Sequence, residues 1–324
     1  MREYLIKRIL QTIPTILAIT LLVFAMMQAI PGDPIIALLG DAYEEEDAEV
    51  LREEYGLNKP IVVQYFIWLS KVVQGNWGEA YISGREVLND VLIRLPVTVE
   101  LIVLAMVVAL LIAIPAGIIA AVRQNTWGDY TAMSTAMIGI SIPDFFLGVL
   151  LLLVFSFLLE GLLPSSGWVY LPGTCPTIVC EASFWGNIKH VIMPAIALGV
   201  GRAAILTRLL RASMLEVIRM EYVTTARAKG LAEKLVILKH ALKNALIPTV
   251  TIMGLQVGFL IGGAIVVETL FAIPGLGTYG INAILGREYQ QVQGFILLVA
   301  ISFVGINFLV DLVYAFLDPR IRYS

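Results

Sequence analysis

The chain has 324 residues, of which 59% are hydrophobic and 15% charged, and its mean hydropathy is +0.86. Soluble domains carry about 25% charged and about 45–50% apolar residues, so an ordinary water-soluble protein is excluded, and with it the pair of soluble domains this length would suggest. The net charge is −3, and there are only two cysteines, Cys175 and Cys180, and two histidines, His190 and His240. That is too few for a histidine/cysteine metal cluster, so no metal is expected.

Met1 to Arg8 is basic, and a charge-free stretch follows from Ile9 to Gly32. A secretory signal has an apolar region of roughly 7–15 residues. Here the apolar stretch is longer and ends in Ile30-Pro31-Gly32-Asp33-Pro34, so Ile9–Ile30 reads as a retained first span. A bilayer crossing needs roughly 20 apolar residues, and five further stretches approach that. They are Val97–Val122 with Glu100 near one end, Thr131–Leu159 interrupted at Pro143-Asp144, His190–Leu210 with Arg202 and Arg208 in its end, Ala245–Val267, and Val292–Phe316. The expected fold class is an all-α integral membrane protein with six transmembrane helices.

Lys and Arg near span ends set orientation. The stretch 208–243 holds eight basic residues, whereas 32–96 holds five against twelve acids, including Glu44-Glu45-Glu46-Asp47. An even number of spans then puts both termini and the 208–243 loop on the cytoplasmic side of the cytoplasmic membrane. Residues 32–95 form an outer insert, in which Ile61, Tyr65, Trp68, Leu69, Val72 and Val73 recur at helical spacing. Ser83-Gly84-Arg85-Glu86 has capping-box form ahead of Val87, Val91 and Leu92. A partner-docking platform and a lid over the span ends both fit this pattern. The division expected is 1–31 (cytoplasmic segment and first span), 32–95 (outer helical insert), 96–317 (five-helix core with a coupling helix at about 219–230) and 318–324 (cytoplasmic tail).

The alanine-rich stretch from Glu221 to Gly230 is helix-prone and ends in a glycine suited to the left-handed position after a helix. A short helix held between two spans could pass a push from a cytoplasmic motor into them; equally, the loop could be basic only because cytoplasmic loops are. Tyr222-Val223-Thr224-Thr225-Ala226-Arg227-Ala228-Lys229-Gly230-Leu231, followed by Asn244-Ala245-Leu246-Ile247-Pro248, resembles the EAA-type coupling loop of ABC importer permeases, closest to the dipeptide/oligopeptide and nickel branch. Ser141-Ile142-Pro143, Arg211-Ala212-Ser213-Met214-Leu215-Glu216, Gly254-Leu255-Gln256-Val257-Gly258, Phe271-Ala272-Ile273-Pro274-Gly275-Leu276-Gly277 and Asp318-Pro319-Arg320 agree with that branch. Where the family has Glu-Ala-Ala, this chain has Thr224-Thr225-Ala226. The resemblance implies the type I ABC importer permease fold. It also implies a second, similar permease, two cytoplasmic ATPases carrying ATP and Mg, and an external peptide-binding protein. Arg219, Glu221, Tyr222, Thr224, Thr225, Ala226, Arg227, Ala228, Lys229 and Gly230 would couple to an ATPase. No G-x-x-x-x-G-K-[ST] loop occurs in the chain, so ATP is expected to bind elsewhere and the chain is not expected to be an enzyme.

Gly275-Leu276-Gly277-Thr278-Tyr279-Gly280 satisfies G-x-G-x-x-G, but between two spans it lacks the βαβ setting of a dinucleotide site. It reads as a tight outer turn or a re-entrant piece. Gly254, Gly258 and Gly262 recur every four residues and offer close helix packing, as a partner seam or as static packing within the subunit. Candidates for the solute pathway are Asp144, Gln256 and Glu268. An acid inside a span is a functional candidate; Asp144 could meet a peptide ammonium or cap the helix restarting at Phe145, the reading favoured here. Glu100 and Glu268 read as interfacial. Cys175 and Cys180 lie in an outer loop, where a disulfide can persist; free thiols are the alternative.

A secondary transporter usually shows internal repeats and several buried ionisable groups, which this chain lacks, and an intramembrane enzyme has no H-E-x-x-H or G-x-S-x-G to rest on. The function expected is a permease subunit of an ATP-driven importer of di- or oligopeptides, with nickel or glutathione as alternative cargo.

Overall fold

A computed structural model describes residues 2–29, 45–54, 58–80, 83–176 and 180–317. The Ile30–Pro34 and Asp318–Arg320 motifs and the tail 318–324 lie outside the described residues. The elements in order are α1 (Arg2–Gln28), α2 (Glu45–Glu54), α3 (Ile61–Val73), α4 (Val87–Val122), α5 (Trp127–Ser141), α6 (Asp144–Leu153) with a π turn at Val154–Leu158, and α7 (Phe184–Ile218). Then come α8 (Glu221–Ala228), a helical lead from Glu233 through a π turn at Val236–Ala241 into α9 (Leu242–Leu270), α10 (Leu276–Leu285) and α11 (Tyr289–Leu317). Among the described residues, five helical segments are long and apolar enough to cross a membrane, and the α5–α6 pair makes a sixth if it counts as one span.

Several helices outrun their apolar stretches. α4 has 36 residues and α7 has 35. At about 1.5 Å per residue each is about 50 Å long, against about 30 Å of hydrocarbon. Val97–Val122 is therefore the C-terminal part of a rod that starts ten residues earlier, and His190–Leu210 is the middle of another. Val87, Val91 and Leu92, expected in the outer insert, form the first turns of α4 instead.

The chain divides into two compact units, and α1, α4, α10 and α11 contribute residues to both. The first unit comprises 97–278 with the chain ends. Here α4 buries Leu101, Ala105, Ala109 and Ala113 at helical spacing. A Cβ at Gly199 of α7 would lie 2.6 Å from the Ala105 carbonyl oxygen, so only glycine permits this backbone approach. In lipid, such small-residue contacts drive helix association through van der Waals packing. Arg211 of α7 grips Asp129 of α5 with a two-pronged bond, Nε to Oδ1 at 2.6 Å and Nη2 to Oδ2 at 2.7 Å.

The third span is not a continuous rod with a weak point. α5 and α6 meet at 98°. Pro143 has no N–H to donate and pushes the preceding residue out of helical geometry; Ile142 is extended at φ −86°, ψ 119°. The capping role favoured for Asp144 is not found. α6 starts at Asp144 itself, Pro143 occupies the N-cap, and no side chain caps it. The Asp144 carboxylate turns to the Arg202 guanidinium of α7 in an ion pair.

Glu268, near the end of its span, is enclosed by the chain itself. Its side chain is fully buried in the last turn of α9, where Oε1 accepts from the Thr98 hydroxyl at 2.6 Å. Oε2 accepts from the N–H groups of Gly277 at 2.7 Å and Thr278 at 3.2 Å, and Thr98 Oγ1 accepts from the Leu276 N–H at 2.8 Å. The carboxylate thus closes the start of α10, supplying acceptors to first-turn N–H groups that have no helical partner. A Cβ at Gly275 would run into the Glu268 side chain, and one at Gly277 would lie 2.5 Å from the Ile265 Cα. The G-x-G-x-x-G stretch is a glycine-lined helix start sealed by a carboxylate of the chain itself.

The second unit comprises 5–96 and 279–304. Phe24 of α1 packs against Tyr65 and Trp68 of α3 with ring centroids 5.6 and 5.8 Å apart, and the Thr20 and Tyr65 hydroxyls are hydrogen-bonded at 2.9 Å. Arg94 lies over the Tyr279 ring, 4.6 Å from its centroid. Burial, followed by the Asp90 charge, pushes the Tyr279 hydroxyl well above its ordinary range, so that ring stays a neutral phenol.

Two predictions follow from these packings. Glu268→Ala removes the acceptor of buried donors on Thr98, Gly277 and Thr278, so it should cost at least about 2 kcal/mol and lower the unfolding midpoint in nanodiscs, with Glu268→Gln losing less. On the glycine stripe, a Cβ at Gly254 would clash with Val310, whereas one at Gly262 meets nothing within 4 Å. Gly254→Ala should therefore destabilise the isolated subunit and Gly262→Ala should not, read in the same assay.

Candidate coupling site

The loop between α7 and α9 folds as a short helix clamped at both ends. α8 starts after Met220, whose backbone is extended at φ −71°, ψ 148°, and Glu221 in its first turn suits the positive end of the helix dipole. At the other end the Gly230 N–H bonds the Arg227 carbonyl at 2.9 Å and the Leu231 N–H bonds the Ala226 carbonyl at 3.4 Å. With Gly230 at φ +76°, this is the Schellman arrangement that stops a helix at a left-handed residue.

One face of α8 is anchored. Val223 and Ala226, three residues apart, are buried in a cluster with Leu210, Met214 and Val217 of α7, Val236, Ile237 and Ala241 of the π-turn lead, and Ala245 of α9. The opposite face, with Glu221, Tyr222, Thr224, Thr225, Ala228 and Lys229, is exposed. Side-chain bonds fix the orientation. Arg227 forks onto Glu233, with Nη2 to Oε1 at 2.8 Å and Nε to Oε2 at 3.1 Å; the Glu233 carboxylate raises the guanidinium pKa further above its ordinary range. Tyr222 Oη accepts from Asn244 Nδ2 at 2.6 Å and donates to the His240 carbonyl at 3.3 Å. Arg219 closes α7 and reaches Gln124 Oε1 at 3.4 Å.

Of the residues singled out for coupling, those from Glu221 to Ala228 lie on α8, Lys229 and Gly230 form its end and Arg219 closes α7, and they divide into two roles. Val223 and Ala226 anchor the helix, Arg227 braces it through Glu233, and Tyr222, Thr224, Thr225 and Lys229 are presented outward. Glu233, Asp129 and the π turn were not singled out from the sequence. The Arg227–Glu233 spacing of six matches no helical period, and Asp129 and Arg211 lie 82 positions apart. Among the pathway candidates, Gln256 sits part-exposed on α9, Asp144 is held by Arg202, and Glu268 has both oxygens occupied within the chain. Gly258 is buried on α9. Cys175 and Cys180 are joined, with Cα atoms 5.9 Å apart.

Gly230 has open space around it, so only its backbone angle resists substitution. Gly230→Val, β-branched at positive φ, should destabilise the loop by at least about 1 kcal/mol and speed amide exchange in α8, whereas Gly230→Asn, which tolerates that region, should stay close to the parent.

The family described as binding-protein-dependent transport system inner membrane component matches residues 113–323, and the N-terminal component of the same description matches residues 1–102. The chain is 40% identical to the dipeptide transport system permease protein DppB of Alkalihalophilus pseudofirmus over 335 aligned positions, covering 100% of both. It is 41% identical to the glutathione transport system permease protein GsiC of Escherichia coli over 324 positions, again covering 100% of both. A solved amino acid ABC transporter with histidines matches with a TM-score of 0.48 at 15% identity, over 78% of this chain and 98% of that one. This chain, with its apolar spans and its clamped loop helix, belongs to the binding-protein-dependent transport inner membrane family and is a multi-pass ABC transporter permease subunit.

Proposed function

We propose that this subunit forms, with a second similar permease, the pathway of an ATP-driven importer of short peptides, fed by an external binding protein and driven by two ATPases. The observation that carries the reading is α8: one face is buried in the ends of the spans and the other is bare. A helix seated in an ATPase groove by its bare face transmits a rigid-body push, because Val223, Ala226 and the Arg227–Glu233 fork tie it to α7 and to the lead into α9. ATP-driven closure of the ATPases rocks those spans and opens the cavity outward to receive peptide. The basic 208–243 stretch supports a cytoplasmic position for α8, both termini and the ATPases. ATP and Mg are assigned to the ATPases, because the sequence has no G-x-x-x-x-G-K-[ST] loop.

Two relatives' names support the cargo. Dipeptide is the first reading. Glutathione, a tripeptide with free carboxylates, is the second, favoured by the 41% identity to GsiC.

The test is reconstitution of the tagged subunit with the second permease, ATPases and binding protein encoded beside it. Uptake of di-, tri- and longer peptides and of glutathione should require ATP; uptake driven by an ion gradient without ATP would overturn the reading. Thr225→Arg on the bare face should leave folding unchanged and lower peptide uptake at least about tenfold through lost ATPase seating.

A further inference from the structure

The Asp144–Arg202 ion pair stands where a packed membrane protein has least reason to keep one. Both partners lie within membrane-spanning helices, Asp144 where the third span breaks and Arg202 mid-way along α7. Their side chains are 21% and 16% exposed. Ionised groups at that depth are costly and gather at pathways rather than at lipid.

The Asp129–Arg211 pair between α5 and α7 shows what is open about this one. Asp129 and Arg211 form a closed two-pronged bond, with Asp129 3% exposed and also accepting from the Asn125 N–H. Arg202, by contrast, uses Nη1 on Asp144, while its Nε is buried without a partner. A guanidinium with donors to spare beside a single carboxylate is an unfinished site, since a second carboxylate would satisfy what Asp144 leaves.

Glycines lie against both members of the pair. A Cβ at Gly201 would lie 3.3 Å from Asp144 Oδ1 and one at Gly263 3.2 Å from Arg202 Nη2, each tight against the pair. Next to Gly263, Gly262 is exposed, with nothing within 4 Å of its Cβ position. The break at Pro143 adds non-helical backbone at membrane depth, which is tolerated only where it is buried in protein or lines a water-filled cavity.

We propose that the Asp144–Arg202 pair is an exchangeable ion pair on the solute pathway: Arg202 receives a carboxylate of the passing peptide and Asp144 its ammonium, and the two close on each other when the pathway is empty. The inference rests on the peptide reading of the subunit. It gives each terminus of a zwitterion a counter-charge within the spans, so the cargo crosses without shedding its charges into apolar surroundings. Closure of the pair afterwards keeps either charge from standing alone.

The test uses the whole reconstituted complex with dipeptide-loaded binding protein. Asp144→Asn with Arg202→Gln removes both charges while keeping a hydrogen-bonding pair, so the expected result is an assembled complex with an unshifted unfolding midpoint and peptide uptake reduced at least about tenfold, the scale of one charge-assisted hydrogen bond. Arg202→Lys, which keeps the positive charge without the fork, should fall between this variant and the parent. If the neutral pair imports dipeptide at the parent rate, or if uptake falls only in step with the unfolding midpoint, the pair is a brace and the proposal is overturned. If the parent complex imports no peptide at all, the peptide reading fails first, independently of the pair.

Discussion

The backbone inside a bilayer has no water to bond to, and the rest of this structure depends on that constraint. A continuous helix meets it internally. Where the chain abandons the helix, a side chain must step in. At the turn after α9 the substitute is Glu268, whose oxygens serve the first N–H groups of α10 while Thr98 serves another. At the Pro143 break the local charge is Asp144, held in turn by Arg202. Both carboxylates sit at departures from regular structure, and both are matched by groups from other helices. The irregular points of the fold are thereby also where distant segments are tied together.

Between those points the packing is made by small residues. Hydrophobicity gives helices in lipid little reason to prefer each other over acyl chains, so close backbone approach takes over. Ala105 against Gly199 and Gly254 against Val310 are such approaches. They leave little slack, and tightly packed helices move as blocks rather than by deformation. α8 joins that block through Val223 and Ala226 and is kept from rotating by the Arg227 fork and the Tyr222–Asn244 bond.

The location and length of α8 are legible in the sequence, because its composition favours a helix and Gly230 marks its end. Which residues face inward is not. Val223 and Ala226 differ little in kind from Ala228, and their burial is decided by Met214, Val236 and Ala241 arriving from other segments. Glu268 shows the same limit. Near a span end it reads as a headgroup-level acid; only the return of residues 276–278 over its carboxylate buries it. Asp144 after a proline reads as a helix cap, yet a charged partner 58 positions away outcompetes the local bond.

By itself, then, the sequence determines that the chain lives in a membrane, roughly where it crosses, where its loop helix begins and ends, and which family it resembles. These follow from local composition and short-range pattern, which act within a few turns of helix. Tertiary structure alone decides how sharply the third span breaks, how far α4 and α7 extend beyond their apolar stretches, and which charges find each other. The physical reason is that an ion pair or a carboxylate–amide bond inside a membrane is set by which helices pack together, and that choice lies in contacts between residues far apart along the chain.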